Sequence, residues 1–298
     1  MSYIPTAREL YVLRRRLSAE DECSFFTSLR LRNGTFRTTH VRRLDDLNHL
    51  LLSLLPDAHP LRIMDVAVSS GVTTLEWSEA LTAAGIAHRI TAGDVVLKAF
   101  LISFRKYVHV LVDKTGHPLQ FEFWGRAVPN PMTRRVHRLY RPLVAYVKAQ
   151  LVKHFASVSK ACETTPTREI IREGGLICRP LILLSPTLGR PAHVEFVDDD
   201  IQHNDGLLGR FHVVRAANIL NKVYFSDDVM LGMLANLRAR LQANGLLVVC
   251  RSTHDGINEA TVFRLRETGR LETIARLGGG SEVESLALAL PPLLQGGS

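Results

Sequence analysis

One stretch constrains this chain more than any other: Ile63-Met64-Asp65-Val66-Ala67-Val68-Ser69-Ser70-Gly71-Val72-Thr73-Thr74. A short apolar run carrying one acid gives way to small residues and then to a helix-compatible Leu75-Glu76-Trp77. That order predicts a strand, a tight turn and the start of a helix. Small residues let a ligand approach the backbone, and the free N–H groups of a helix's first turn attract negative charge. The acid inside the strand can attract a cationic group or accept hydrogen bonds. The dinucleotide fingerprint G-x-G-x-x-G is not met, because Ala67 and Ser69 stand where glycines belong and only Gly71 remains. No Gly-Lys-Ser/Thr follows, so the turn is not a P-loop either. Taken alone, the stretch also fits an ordinary strand-to-helix turn.

The pattern to either side supports an α/β core. Helical apolar spacing over 7–16 and 44–55, with Asn33-Gly34 as a turn between them and Pro56 and Pro60 after them, predicts an N-terminal helical cap over 1–60. The core then begins with a strand at 62–66 and a helix at 73–84 ended by Gly85. A second strand over 88–93 delivers Asp94, 23 residues beyond Gly71. An acid there accepts hydrogen bonds from ribose hydroxyls in dinucleotide-like folds, or else caps a following helix. About a hundred residues then pass before the next core strand at 193–197, where a crossover needs only a dozen or more. We read 101–192 as an insertion: a hairpin of 107–112 and 119–124 around Asp113-Lys114-Thr115-Gly116, a helix from about Pro142 with Leu143, Val147 and Leu151 on one stripe, a short helix over 164–172 before Gly174-Gly175, and an extended piece at 181–184.

From Phe211 the pattern is regular again. A strand at 211–214 precedes a helix over 226–242, with Leu231, Leu234, Leu237 and Leu241 inward and Asn244-Gly245 as its cap. Strands follow at 246–250, 260–265 and 271–277, the last two around a turn at 267–269. The tail, 278–298, reads as a Gly-rich turn, a short helix or strand over 283–290, and a loose end.

Composition bounds the function classes. An apolar fraction of 46% over 298 residues is ample for a buried core, and no run of about 18 apolar residues crosses a membrane. The start lacks a signal-peptide pattern, so a cytoplasmic protein is expected. Cys23, Cys162, Cys178 and Cys250 show neither pairing nor a His partner at metal-ligand spacing, so neither a metal nor a disulfide framework is expected. The formal charge of +8 is local: 123–162 contains no acid but carries Arg126, Arg134, Arg135, Arg138, Arg141, Lys148, Lys153 and Lys160. Such a segment meets an anionic substrate, an acidic protein, a nucleic acid or a membrane surface, or is a solvated helix face.

Asp65-x-Ala67-x-Ser69-x-Gly71 resembles motif I of class I S-adenosylmethionine-dependent methyltransferases, in the small-Ser/Thr-Gly variant of the chemotaxis-receptor glutamate methyltransferases. The run 211–220, a leucine-rich helix and then 241–252 are similar to motifs IV to VI of the same superfamily, with Asn218-Ile219-Leu220 keeping the Asn-Val-Leu turn. His212 replaces the frequent Asp, Asn244 the first Gly, and Ala217 the Arg before the Asn, which puts receptor glutamate methylation in doubt. The resemblance covers about 61–100 and 193–277. It implies a Rossmann-like α/β sheet over 61–277 ending in an antiparallel hairpin, with the insertion as a substrate lid.

It further implies S-adenosylmethionine as cofactor, held by Asp65, Ala67, Ser69, Gly71 and Asp94, with Asp199 and Asp200 at the adenine and Ala216 at the methyl group. Asn218 would orient the cofactor or a substrate oxygen, or simply form the turn, and His203 is the candidate base, while His212 reads as structural. The basic lid favours a small anionic acceptor, a metabolite or natural-product intermediate. Two rivals are an RNA-modifying methyltransferase, disfavoured by the sparse aromatics of the basic run, and a non-catalytic module docking an acidic partner. Oligomeric state is open.

Overall fold

A computed structural model describes residues 3–32, 34–37, 40–129, 134–163, 170–173, 175–203 and 206–293. In chain order it begins with α1 (Ala7–Tyr11), α2 (Ala19–Ser28), α3 (Asp45–Leu52), β1 (Leu61–Val66), α4 (Val72–Ala83) and β2 (His88–Asp94). The middle comprises β3 (Lys98–Arg105), β4 (Val108–Asp113), β5 (Pro118–Phe123), β6 (Arg126–Pro129), α5 (Arg134–Glu163), β7 (Ile171–Glu173) and β8 (Leu176–Ile182). The last part is β9 (Val194–Asp198), β10 (Phe211–Ala217), α6 (Asp227–Ala239), β11 (Leu241–Ser252), β12 (Asn258–Leu265), β13 (Leu271–Leu277) and α7 (Glu284–Ala289). These elements form two compact units, Met1–Thr39 with Val96–Thr187 and His40–Val95 with Leu188–Ser298. The N-terminal 60 residues, expected as one cap, therefore divide between them: α1 and α2 go with the insertion, and α3 goes with the core.

The unit built on His40–Val95 and Leu188–Ser298 is the Rossmann-like sheet. Its strands, among the described residues, run β13-β12-β11-β10-β1-β2-β9. β9, β2, β1, β10 and β11 are mutually parallel, while β12 and β13 add an antiparallel pair. Numbering the parallel strands by sequence gives 3-2-1-4-5, the doubly wound order whose switch point lies between the first and fourth strands. Alternation decides the two faces. Ile63, Ile90, Val213 and Val248 pack with Leu47, Leu51, Leu75, Trp77 and Leu81 of α3 and α4. Met64, Val66, Val214, Leu247 and Val249 pack with Met230, Met233, Leu234 and Leu237 of α6. Burying each such side chain contributes about 1.5–3 kcal/mol before entropy is subtracted.

Two expectations are corrected here. The helix expected over 226–242 stops at Ala239, and Asn244-Gly245 is not its cap but part of β11, with Asn244 at φ 62°. The register slips between Phe211 and Val213 opposite this point, so the pair makes a bulge, and a Cβ on Gly245 would meet the Gln242 carbonyl oxygen at 2.9 Å.

The other unit is larger than the expected hairpin and helix. Its antiparallel sheet runs β6-β5-β4-β3-β8-β7 among the described residues. β3 was not foreseen as a strand, and β8 begins well before 181. The helix expected from Pro142 already runs at Arg134, with Pro142 inside it. The stripe itself is correct: Val144, Val147, Leu151 and Val158 are buried against Phe100, Ile102, Val110, Val112, Phe121 and Phe123. At the 113–116 turn the Asp113 carboxylate accepts the N–H groups of Thr115 (2.8 Å) and His117 (2.9 Å). Gly116 is obligatory there, because its φ is 83° and a Cβ would come within 2.8 Å of the Phe155 ring on α5. The helix expected over 164–172 falls mostly outside the described residues, and its last part is β7. Asn33 and Gly174 also lie outside them. In the tail, α7 is the helical alternative.

Candidate functional site

The loop after β1 sits at the switch point, and its backbone is unusual. Ala67 (φ 57°), Ser69 (φ 54°) and Gly71 (φ 83°) are all left-handed, so every second residue adopts the conformation glycine prefers. For each of the two non-glycines this costs roughly 1–2 kcal/mol. Strain of this kind persists only where surroundings over-determine it, and it clusters at ligand sites. Here the surroundings are on β2: the Val68 N–H donates to the Gly93 carbonyl (3.2 Å) and the Ser69 N–H to Asp94 Oδ2 (2.8 Å). Gly71 then acts as the N-cap residue of α4, so the free N–H groups of that helix open at the end of the loop. Asp94 is 5% exposed and also accepts the Asp199 N–H on its main-chain carbonyl (3.1 Å).

Two of the expected cofactor acids have other partners. Asp65 is 2% exposed and paired bidentately with Arg215, through Nε to Oδ1 at 2.9 Å and Nη2 to Oδ2 at 2.6 Å, while the Thr74 hydroxyl donates to Oδ2 at 2.7 Å. The guanidinium, itself fully buried, also donates to Asn48 Oδ1 and the Thr73 carbonyl and lies 4.1 Å from the Trp77 ring centroid. Asp199 makes the same kind of fork with Arg240, at 2.7 and 2.9 Å, and Arg240 further donates to the His203 carbonyl. Both carboxylates thus serve to neutralise buried arginines. Gly93 makes the second pair possible, because a Cβ there would sit 2.8 Å from the Asp199 Cβ.

The remaining expected residues are spread along the same end of the sheet. Ala216 is fully buried in the α6-side core, so its side chain does not face a ligand. Asn218 (φ 60°) ties β10 to β11: its N–H donates to the Cys250 carbonyl, its Oδ1 accepts the Ser252 N–H (2.8 Å), and the Ser252 hydroxyl continues to Asn258. This is the arrangement that the turn-forming alternative expects. Asp200 accepts the Gln202 N–H and lies 3.4 Å from His203 Nδ1, with the imidazole 69% exposed. His212, at the opposite end of its strand, accepts the Arg62 N–H, and burial lowers its pKa, consistent with a structural role. Cys250 is a buried thiol pushed up to about 12 by desolvation, hence inert.

Sequence reasoning missed both buried arginines, although one signal was present. On the face that packs against α3 and α4, β1 and β10 are apolar except for one charge each, opposite in sign, and Asp65 and Arg215 prove to be register partners. It also missed a Ser78 hydroxyl held between two imidazoles, 2.9 Å from His88 Nε2 and 2.9 Å from His193 Nε2. His88 Nδ1 faces the Ile86 carbonyl, so that nitrogen carries the proton and Nε2 accepts from Ser78, whose oxygen accepts from His193. Burial lowers the His88 pKa, which suits the neutral form.

No protein-family model and no curated protein matches the chain. Among solved structures it is similar to the DszA carbon methyltransferase, at 17% identity and TM-score 0.31 over 83% of this chain and 44% of that one. The citrinin polyketide synthase CMeT domain aligns at 14% identity and TM-score 0.33 over 71% of this chain and 35% of that one. A putative methyltransferase from Bacillus halodurans C-125 aligns at 12% identity and TM-score 0.30, covering 69% and 51%. The chain thus spans about half or less of the length of each.

Proposed function

We propose that this chain binds S-adenosylmethionine at the end of its parallel sheet and transfers the methyl group to a small anionic acceptor. The observation that carries the reading is the loop 67–71, left-handed at alternate residues and fastened to Asp94 at the switch point of a 3-2-1-4-5 sheet. A run of small residues in that conformation turns main-chain N–H groups toward a ligand and leaves room for it.

In this reading the loop backbone and the first turn of α4 hold the carboxylate end of the cofactor. Asp94 has a second task beside fastening Ser69, accepting ribose hydroxyls. Asp65 and Asp199 act one step back, fixing β1 and β9 through their arginines. The cofactor supplies a methyl group on a sulfonium, a good leaving group. Positioning and exclusion of water are then most of what the protein must add. An acceptor carboxylate needs no base, whereas a hydroxyl or ammonium does, and we assign that base to His203 beside Asp200. The anionic acceptor rests on the acid-free basic run 123–162.

Calorimetric titration of S-adenosylmethionine and S-adenosylhomocysteine tests this, with NAD and an Asp94→Ala variant as controls. We expect dissociation constants of order micromolar, about −8 kcal/mol, for both sulfur ligands. We also expect at least tenfold weakening in the variant and no NAD binding. Absence of binding by either sulfur ligand overturns the reading.

A further inference from the structure

The unit built on Met1–Thr39 and Val96–Thr187 has one face of its sheet covered by α5. The opposite face is only partly covered. There α1 packs over β5: the Ala7 N–H donates to Gln120 Oε1 at 2.9 Å, and Arg8 Nε pairs with Glu122 Oε1 at 2.7 Å. Beyond α1, toward β3 and β8, lies a cavity of about 280 Å³. Its apolar wall is Leu101, Phe104 and Ile177, and its charged groups are Arg8, Arg105, Lys106 and Arg179. Among the described residues no carboxylate lines it.

The charges in this cavity do not cancel internally. Arg8 is matched by Glu122, the acid on the neighbouring strand. His109 also lines the cavity, but both ring nitrogens are engaged, by Ser103 Oγ at 2.7 Å and the Lys106 carbonyl at 3.2 Å. Burial lowers its pKa, so it adds no charge at neutral pH. Arg105 and Lys106 rest near the rings of Tyr146 and Tyr107. Arg179 is half-buried on β8 in register with Leu101, and among the described residues no hydrogen bond or ion pair holds it. Its guanidinium is therefore available to form charge-assisted, bidentate hydrogen bonds with an anion that enters the cavity.

We propose that this cavity is a second ligand site, taking a small organic anion with an apolar body and a carboxylate or phosphate head. The head lies between Arg179 and Lys106, and the body against Leu101 and Ile177. At about 280 Å³ the space suits a ligand near the lower end of the usual pocket range. The site shares no residue with the loop 67–71 or Asp94, so it stands or falls independently of the cofactor reading.

The test is calorimetry on the full chain with phenyl phosphate, inorganic phosphate and phenol as probes. Phenyl phosphate is expected to saturate one site and inorganic phosphate to bind more weakly; phenol, lacking the charge, should not bind measurably. Arg179→Gln is expected to weaken phenyl phosphate about tenfold or more, and Arg179→Lys to recover part of the loss. Circular dichroism and thermal unfolding confirm that both variants fold. Sedimentation with vesicles of phosphatidylglycerol and phosphatidylcholine separates the sources. Phenyl-phosphate-sensitive co-sedimentation assigns the site to a lipid headgroup, whereas retention in the supernatant with saturable phenyl phosphate binding assigns it to a soluble anion. No saturable binding of phenyl phosphate, or equal binding by folded Arg179→Gln, overturns the proposal.

Discussion

Asp65 and Arg215 show how much a single pair can decide. Two parallel strands each bring one charge into an otherwise apolar face, and the fork between them, the Thr74 hydroxyl and the Asn48 amide satisfy both groups without water. Such a pair is worth little over an apolar replacement, but breaking it leaves an uncompensated buried charge. Asp65→Asn is therefore expected to cost about 3–5 kcal/mol in urea unfolding, whereas the Asp65→Leu/Arg215→Met double variant should lose much less. If the single change costs under about 1 kcal/mol, the pair is not the constraint argued here. The sequence showed the acid and placed it correctly in its strand. What it could not show was the partner 150 residues away, because a ligand contact and a buried ion pair demand the same residue type.

At the scale of the element, the loop 67–71 keeps a glycine-type backbone with alanine and serine in it. Replacing Ala67 by Gly relieves the left-handed strain of about 1–2 kcal/mol and gives back roughly 0.4–1 kcal/mol in unfolded-chain entropy. The expected outcome is a net gain of up to about 1 kcal/mol in chemical denaturation, since Ala67 is only half-buried and its methyl group packs little. A clear loss would mean that the conformation is not held by the β2 contacts. The motif spacing told where this loop lies, because small residues at alternate positions are a local signal. The inserted sheet was less legible: β3 and β8 pair with each other across about 75 residues, and Lys98–Arg105 lacks clean alternation because both its faces are used, one under α5 and one in the cavity. α5 was found through its apolar stripe, while its start was misplaced at Pro142, since a proline within a helix imitates a first turn.

For the whole molecule, three histidines set the response to acid. Burial lowers the pKa of His88, His109 and His212, so the unfolded chain takes up protons first, below the ordinary value of 6.5. Stability is then fully present above about pH 6.5 and declines as pH falls through it. Glu284, held at about 2 by Arg276 and two threonine hydroxyls, adds a further loss below its ordinary 4.5. Thermal unfolding between pH 7.5 and 5.5 should show a falling midpoint, with a shallower slope in His88→Gln; a flat profile would contradict the assignment. The described residues contain no helix long and apolar enough to cross a membrane. By itself the sequence determined the α/β class, the parallel core and its terminal hairpin, and the site of the small-residue loop, because periodicity and turn chemistry are local properties of the chain. Only the tertiary structure decided that residues 1–39 belong with the insertion, that Asp65 and Asp199 answer to arginines, and that Arg179 lines a cavity with no ion-pair partner among the described residues. Those outcomes depend on which distant strands pair and on what each buried charge finds beside it, and no local pattern encodes either.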